Sequence, residues 1–226
     1  MEAWMFKYAL AAFPVAMFVY ALLSRDVEAE VNHLLASGLV FFLPEKLFEL
    51  PKVDVSLALP AAVYGVSLLA SSLAILAGPH PKVPLDGPLP VRLAHQMGRI
   101  INEEALFRGW FFLIPLISAW GSEERWLWFA LPQALLFALV HALPVYFVLR
   151  GRGRAVRALI GGFAFPLAGA LVLAYTGMLT GGLLVPVAVH FATNALAELF
   201  FQAAGWKTVF AVGAPVPAGA ESGSAA

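Results

Sequence analysis

The chain has 226 residues, of which 61% are hydrophobic and 12% charged, and its mean hydropathy is +0.83. A soluble domain is roughly 45–50% apolar and about 25% charged, so this composition excludes an ordinary soluble protein. The formal net charge is zero, which argues against a nucleic acid as partner. The chain has no cysteine, which excludes disulfides, thiolate metal sites and a cysteine nucleophile.

Apolar segments recur along the chain, most of them near the ~20 residues that a membrane-spanning helix needs. In chain order they cover 4–23, 32–48, 57–78, 92–120, 125–149, 156–176 and 181–203. The first has no net positive charge at its leading end (Glu2, Lys7), so we interpret it as a retained span and not a signal peptide. Pro44, Glu45 and Lys46 interrupt the second, which fits a short or tilted helix as well as a full crossing. We predict an all-α, polytopic transmembrane helical bundle of about seven spans, with six as the alternative.

Three parts of the chain differ in character. Residues 1–90 hold the N-terminal transmembrane helices and a loop from Gly78 to Pro90, whose five prolines predict irregular backbone outside the hydrocarbon. Residues 91–205 form a transmembrane core. Residues 206–226 are predicted to be a disordered tail, because Ala, Gly, Pro and Ser dominate from Gly213 onward.

The distribution of lysine and arginine predicts the orientation in the lipid bilayer. With seven spans, one side has nine basic residues: Arg25, Lys82, Arg92, Arg99, Arg150, Arg152, Arg154, Arg157 and Lys207. The other side has four: Lys7, Lys46, Lys52 and Arg125. We predict that the side with nine faces the cytoplasm.

Polar residues interrupt three of the apolar segments. Ionisable groups at bilayer depth are energetically costly and mark functional sites or face a bundle interior. Judged from their distance to the basic anchors, they lie in the cytoplasmic half or near the midplane, where one cavity can contain them all. The set is Glu103, Glu104, Arg108, His141, His190 and Asn194.

Most members of this set have an alternative role in packing. Glu104 and Arg108 are spaced i, i+4 and can form a structural ion pair on one helix face. His141, and His190 with Asn194, can be hydrogen-bonding groups between packed helices. Glu103 has no obvious local partner, and a second carboxylate beside Glu104 makes burial less favourable. A catalytic role is therefore better supported for Glu103 than for its neighbours.

Taken together, three motifs on separate segments define a pattern. They are Glu-Glu-x-x-x-Arg at 103–108, Phe-x-x-x-His at 137–141 and His-x-x-x-Asn at 190–194. In this order they resemble the CAAX protease and bacteriocin-processing family, which includes the Ras-converting CAAX endopeptidases. The resemblance covers about 95–200, and the first 90 residues contain nothing diagnostic.

The resemblance implies an intramembrane glutamic endopeptidase without a cofactor. It implies that Glu103 is the general base, that His141 helps to hold and activate water, and that His190 and Asn194 stabilise the oxyanion. It also implies a supporting role for three further residues: Glu104, Arg108 and Phe137. The substrate would be a protein or peptide with a C-terminal processing signal. The Ala- and Arg-rich, cysteine-free composition indicates a prokaryotic inner membrane, with the active site facing the cytoplasm.

Two other classes of protein remain open from the residues alone. Glu103, His141 and His190 make a His₂Glu set, which is a known zinc shell in proteases. Against zinc, the sequence lacks His-Glu-x-x-His and the ligands would come from three helices. A membrane transporter or an immunity protein without catalysis is the non-enzymatic alternative, although transporters usually show internal repeats and none is evident here.

Overall fold

The computed structural model describes residues 2–24, 27–50, 62, 65, 82–120, 125–149 and 155–208. Within these ranges the chain is helical, apart from one antiparallel pair of two-residue strands, β1 (Lys82–Val83) and β2 (Lys207–Thr208). Four of the described helices are long and apolar enough to cross a membrane. The predicted all-α membrane bundle is confirmed, and the count of seven spans stays a prediction. Segment 57–78, apart from residues 62 and 65, and the tail from 209 lie outside the described residues.

The first two helices, α1 (Ala3–Ser24) and α2 (Val27–Phe42), pack against each other as neighbours in the chain. Near one end of the pair, the Lys7 ammonium lies 5.8 Å from the centre of the Phe41 ring. The predicted interruption after α2 is present. The helix ends at Phe42, and a 3₁₀ turn follows at Glu45–Phe48, with Leu47 and Phe48 buried.

Helix α3 (Leu89–Glu103) begins inside the loop that the sequence predicts up to Pro90. Proline is tolerated there because the first turn of a helix has no intrahelical partner for its N–H groups. Helix α3 continues directly into a π-helix at Glu104–Leu113, and a second π-helix covers Leu116–Trp120. The sequence contains no signal for this change of helix type. Such i→i+5 turns are rare and occur frequently at functional sites.

Three long helices complete the bundle: α4 (Trp126–Leu149), α5 (Ala155–Thr180) and α6 (Leu184–Ala204). Helices α4 and α5 form the most extensive contact between any two described elements. Four alanines one turn apart on α4 are fully buried, and small residues let helix backbones approach closely: Ala130, Ala134, Ala138 and Ala142. Large apolar side chains such as Trp128, by contrast, are exposed where lipid would surround the bundle.

The turn between α5 and α6 docks on the 3₁₀ turn. The N–H of Leu183 donates to the carbonyl oxygen of Leu47 at 2.8 Å. A Cβ atom on Gly182 would lie 2.6 Å from the same oxygen, so this approach requires glycine. Helix α6 ends at Gly205, whose φ of +74° is the left-handed conformation typical of a glycine C-cap.

These contacts define two ends of the bundle. One contains Leu47 and Leu183 and lies beside Lys46. At the other end Arg92 bonds to Gln202, close to where β1 and β2 pair. Three of the nine basic residues that the sequence assigns to one side of the membrane, Lys82, Arg92 and Lys207, thus lie at this end. Which end faces the cytoplasm stays a prediction.

Candidate active site

Glu103, at the end of α3, lies between two histidines from different helices. Its Oε1 is 3.8 Å from Nε2 of His141 on α4, and its Oε2 is 3.9 Å from Nε2 of His190 on α6. Both separations exceed a direct hydrogen bond and match a polar contact that a water molecule bridges. The Glu103 side chain is 23% exposed and that of His141 36%, so these two are accessible.

Glu104 is on the other side of His190 and fully buried. Its Oε1 lies 2.7 Å from Nδ1 of His190 and 3.3 Å from Nη1 of Arg108. The predicted Glu104–Arg108 pair is therefore present, although the backbone between them is a π-helix. A π turn closes at i+5, so residues four apart still lie on the same side of the helix. The bond from Glu104 to His190 is absent from the sequence prediction, because 86 residues separate the two.

Arg108 is fully buried and lies against an aromatic face. Its guanidinium carbon is 4.4 Å from the centre of the Phe137 ring, within cation–π range. The Phe137 ring is also 5.1 Å from that of Phe107, at right angles, and 4.1 Å from that of His141. None of the three guanidinium nitrogens has hydrogen-bond geometry to a described residue, so Glu104 holds Arg108 by charge and not by an aligned hydrogen bond. Phe137 thus contacts both Arg108 and His141.

The hydrogen bonds of the two histidines restrict where their protons are. Nδ1 of His141 is 2.8 Å from the backbone oxygen of Phe137, which can only accept, so Nδ1 is the donor. Nε2 of a neutral His141 is therefore an acceptor directed at Glu103. Nδ1 of His190 faces the carboxylate of Glu104 and donates in the same way. Its Nε2 can also donate only if His190 is an imidazolium.

Asn194 lies one turn beyond His190 on α6 and is partly buried. Among the described residues its side chain makes no hydrogen bond. The structure thus groups five of the predicted site residues, and Phe137 packs against two of them, Arg108 and His141. The five are Glu103, Glu104, Arg108, His141 and His190. The structure places Asn194 on the same helix face as His190, and its side chain is hydrogen-bonded to none of the others.

The distances between the candidate ligand atoms can be compared with those of a zinc site. Zinc bonds of about 2.0–2.2 Å in a tetrahedral shell place ligand atoms roughly 3.4 Å apart. The distances of 3.8 and 3.9 Å from Glu103 to the two Nε2 atoms are wider than this. No group of three His, Cys, Asp or Glu within the described ranges is arranged to hold a metal ion.

Three buried polar residues near the site are absent from the sequence prediction. Gln133 is 2% exposed, and its amide has no hydrogen-bond partner within the described part of the chain. It precedes Phe137 and His141 by one and two turns on α4, a spacing that makes it recognisable as part of their face. Glu198 follows Asn194 by one turn on α6 and pairs with Arg92 on α3. These spacings extend two of the three motifs along their helices.

Residues 87–196 match a family model described as Type II CAAX prenyl endopeptidase Rce1-like. The match contains all three motifs and the complete set of candidate site residues. No curated protein and no solved structure matches the chain.

The protein is therefore a polytopic integral membrane protein with a buried polar site between α3, α4 and α6. Its residues 87–196 belong to the Rce1-like CAAX protease family, as the motifs predict. This is a family of membrane proteases.

Proposed function

We propose that the protein is an intramembrane glutamic endopeptidase that cleaves a protein or peptide near its C-terminus. The observation that supports this best is the position of Glu103. Its two carboxylate oxygens each face an imidazole Nε2, at 3.8 and 3.9 Å, which is too far for a direct hydrogen bond. A base within reach of a water, with donors nearby, is what peptide hydrolysis without a nucleophilic side chain requires.

In the proposed reaction a water donates one hydrogen bond to Glu103 and the other to Nε2 of neutral His141. Glu103 takes the proton as the water oxygen bonds to the substrate carbonyl carbon. The carbonyl oxygen becomes an oxyanion, which accepts hydrogen bonds from His190 and Asn194. Glu103 then gives the proton to the amide nitrogen as the carbon–nitrogen bond breaks, so the base is restored.

This role for His190 requires a particular charge state. Since Nδ1 donates to Glu104, Nε2 donates to an oxyanion only when His190 is an imidazolium. Two carboxylates, Glu103 and Glu104, and two cations, Arg108 and His190, then add to zero net charge within the site. Charges at bilayer depth are tolerated when they pair with one another in this way. We propose that Glu104 serves catalysis by holding His190 in this state, and that Arg108 supports it by pairing with the Glu104 carboxylate.

A zinc protease is the second candidate, and one observation favours it. Histidines that bind a metal usually donate their other ring N–H to a carboxylate or a backbone carbonyl. His190 does the first and His141 does the second, and both Nε2 atoms face Glu103. We nevertheless propose a reaction without a cofactor, because Asn194 is a poor zinc ligand and a good oxyanion donor.

The function is tested by comparing the termini of membrane proteins in cells that express the wild type or Glu103→Ala. We expect one or more proteins to carry longer C-termini in the variant. Restoring the wild type must restore the short forms. Identical termini in both strains would contradict the proposed protease. Flux of an ion through liposomes that depends on Glu103, without any cleavage, would support the transporter instead.

Asn194→Ala distinguishes glutamate chemistry from zinc chemistry. Removing one oxyanion donor typically lowers turnover by about 10²–10³-fold. We expect kcat to fall by this amount with KM nearly unchanged, since the hydrogen bond forms in the transition state. Wild-type activity should also survive exhaustive chelation. Loss of activity on chelation with recovery on adding zinc would favour the metalloprotease, and an unaffected kcat would remove Asn194 from the mechanism.

We propose a prokaryotic inner membrane as the location, with the site open to the cytoplasm. The cysteine-free chain allows single cysteines to report the orientation. Ala204→Cys lies at the exposed end of α6, and Leu50→Cys lies in the exposed segment after the 3₁₀ turn. In intact cells an impermeant thiol reagent should label Leu50→Cys and spare Ala204→Cys until the membrane is permeabilised. The reverse pattern would contradict the proposed orientation.

A further inference from the structure

A buried ion pair outside the catalytic motifs joins the same two helices that carry them. Arg92, in the first turn of α3, donates from Nε to Oε2 of Glu198 on α6 at 2.8 Å. Both side chains are 5% exposed. The other two guanidinium nitrogens are also bonded, Nη1 to the backbone oxygen of Gly87 at 2.7 Å and Nη2 to Oε1 of Gln202 at 2.8 Å. Gln96 adds a longer contact of 3.4 Å to Oε1 of Glu198.

This network is better suited to fixing geometry than to stabilising the fold. A buried ion pair often contributes no more stability than apolar residues of similar volume. The planar guanidinium, however, offers donors in a rigid fork, so it restricts direction as well as distance. Each of the three guanidinium nitrogens of Arg92 donates to a different acceptor. These bonds restrict α6 to one position relative to the start of α3.

Helix α3, together with the π-helix that continues it, is thus attached to α6 at two points. The first is the bond between Glu104 and His190, and the second is the pair of Arg92 with Glu198. Along α3 the points are 12 residues apart, about 18 Å, and along α6 eight residues, about 12 Å. Two points fix both the sliding and the rotation of α6 against α3. Asn194 lies midway between them on α6, where no hydrogen bond of its own side chain holds it.

We propose that Arg92 and Glu198 form a positioning pair that aligns His190 and Asn194 with Glu103. This inference rests on the proposed peptidase function. A displacement of 1 Å at a catalytic group can lower a rate by about 10²-fold. The side chains of the pair form no hydrogen bond with the base or the oxyanion donors, so their removal acts on turnover through the placement of α6.

The test uses a double variant that keeps the stability of the fold and removes the directional hydrogen bonds of Arg92. Replacing both partners with apolar residues of similar volume, Arg92→Met with Glu198→Leu, leaves no buried charge unpaired, so the fold and the thermal midpoint are retained. We expect kcat to fall about 10²-fold while KM changes less than about threefold. Glu198→Gln, which keeps the shape and an acceptor for Arg92, should retain more activity than the double variant. Thr176→Val is the matched control, because its hydroxyl is buried but bonds only within α5.

A distance measurement tests the alignment of α3 and α6 by the positioning pair independently of peptidase activity. Spin labels on Pro90→Cys in α3 and Leu196→Cys in α6 should give a narrow distance distribution in wild type and a broader or shifted one in the double variant. An unchanged distribution, or full activity in a stable double variant, would overturn the positioning role. A wild type without peptidase activity would overturn the proposed function, while the distance measurement would still decide whether the pair aligns the helices.

Discussion

Glu103→Gln should abolish peptide cleavage while the protein still folds. The substitution keeps the size and shape of the side chain and removes the group that accepts the proton. General base catalysis typically contributes about 10²–10⁴-fold, so the residual rate should be near the limit of detection. Turnover of a purified peptide substrate in detergent or liposomes measures the loss, and the thermal midpoint measures the fold. Since Glu103 is partly exposed and makes no contact shorter than 3.8 Å to either histidine, stability should change little.

Glu104→Gln is the matched control for this prediction. It is the adjacent carboxylate, but it is fully buried, accepts a hydrogen bond from His190 and forms an ion pair with Arg108. Its loss leaves the Arg108 guanidinium without a carboxylate, so the variant should lose stability and retain more activity per folded molecule than Glu103→Gln. Cleavage by Glu103→Gln near the wild-type rate would show that the base is assigned to the wrong residue.

Arg108→Met should have the largest effect on stability. The substitution keeps an apolar side chain of similar length against Phe137 and removes the cation. Removing one partner of a buried pair typically costs about 3–5 kcal/mol, because the other charge stays buried without compensation. Here Glu104 would keep only His190. Unfolding of the purified protein in detergent, followed by circular dichroism, measures the change in the free energy of unfolding.

The double variant Glu104→Gln with Arg108→Met separates charge from packing. It removes both charges, so most of the lost stability should return while activity stays low. If Arg108→Met unfolds at the same temperature as the wild type, the pair at 3.3 Å contributes nothing. If the double variant is as unstable as the single one, the packing against Phe137 matters more than the charge.

The helices were predictable because their cause is local. Apolar runs of the right length predict α1, α4, α5 and α6 to within a few residues of their ends. The interruption at Pro44 was likewise visible in the sequence and is present as a 3₁₀ turn. The π-helix from Glu104 was not predictable, because i→i+4 and i→i+5 turns place similar side chains on similar faces. The start of α3 was predicted two to three residues too late, since Pro90 is compatible with either a loop or a first turn.

The site was predictable as a set of residues and not as a network. A polar residue in an apolar run is conspicuous, so Glu103, His141 and His190 could be named in advance. Which nitrogen of His190 bonds to which glutamate depends on how α6 is rotated against α3, and no local pattern encodes that rotation. The pair of Arg92 and Glu198 was missed for the same reason, since 106 residues separate the partners. Their catalytic roles remain proposals that the variants above test.

The distance along the chain between these partners has a consequence for biosynthesis. Four charged groups in the segment from Arg92 to Arg108 lie in or beside contacts with α6. Their partners on α6 follow them in the chain by 86 to 106 residues and are therefore synthesised later. At roughly 5–20 residues per second, 86 residues take about 4–17 s to translate. During this interval the segment would hold several ionised groups at bilayer depth without their partners, at a cost of several kcal/mol each. We therefore expect α3 to reach its final depth in the membrane only after α6 has been synthesised, so that the candidate site is assembled last.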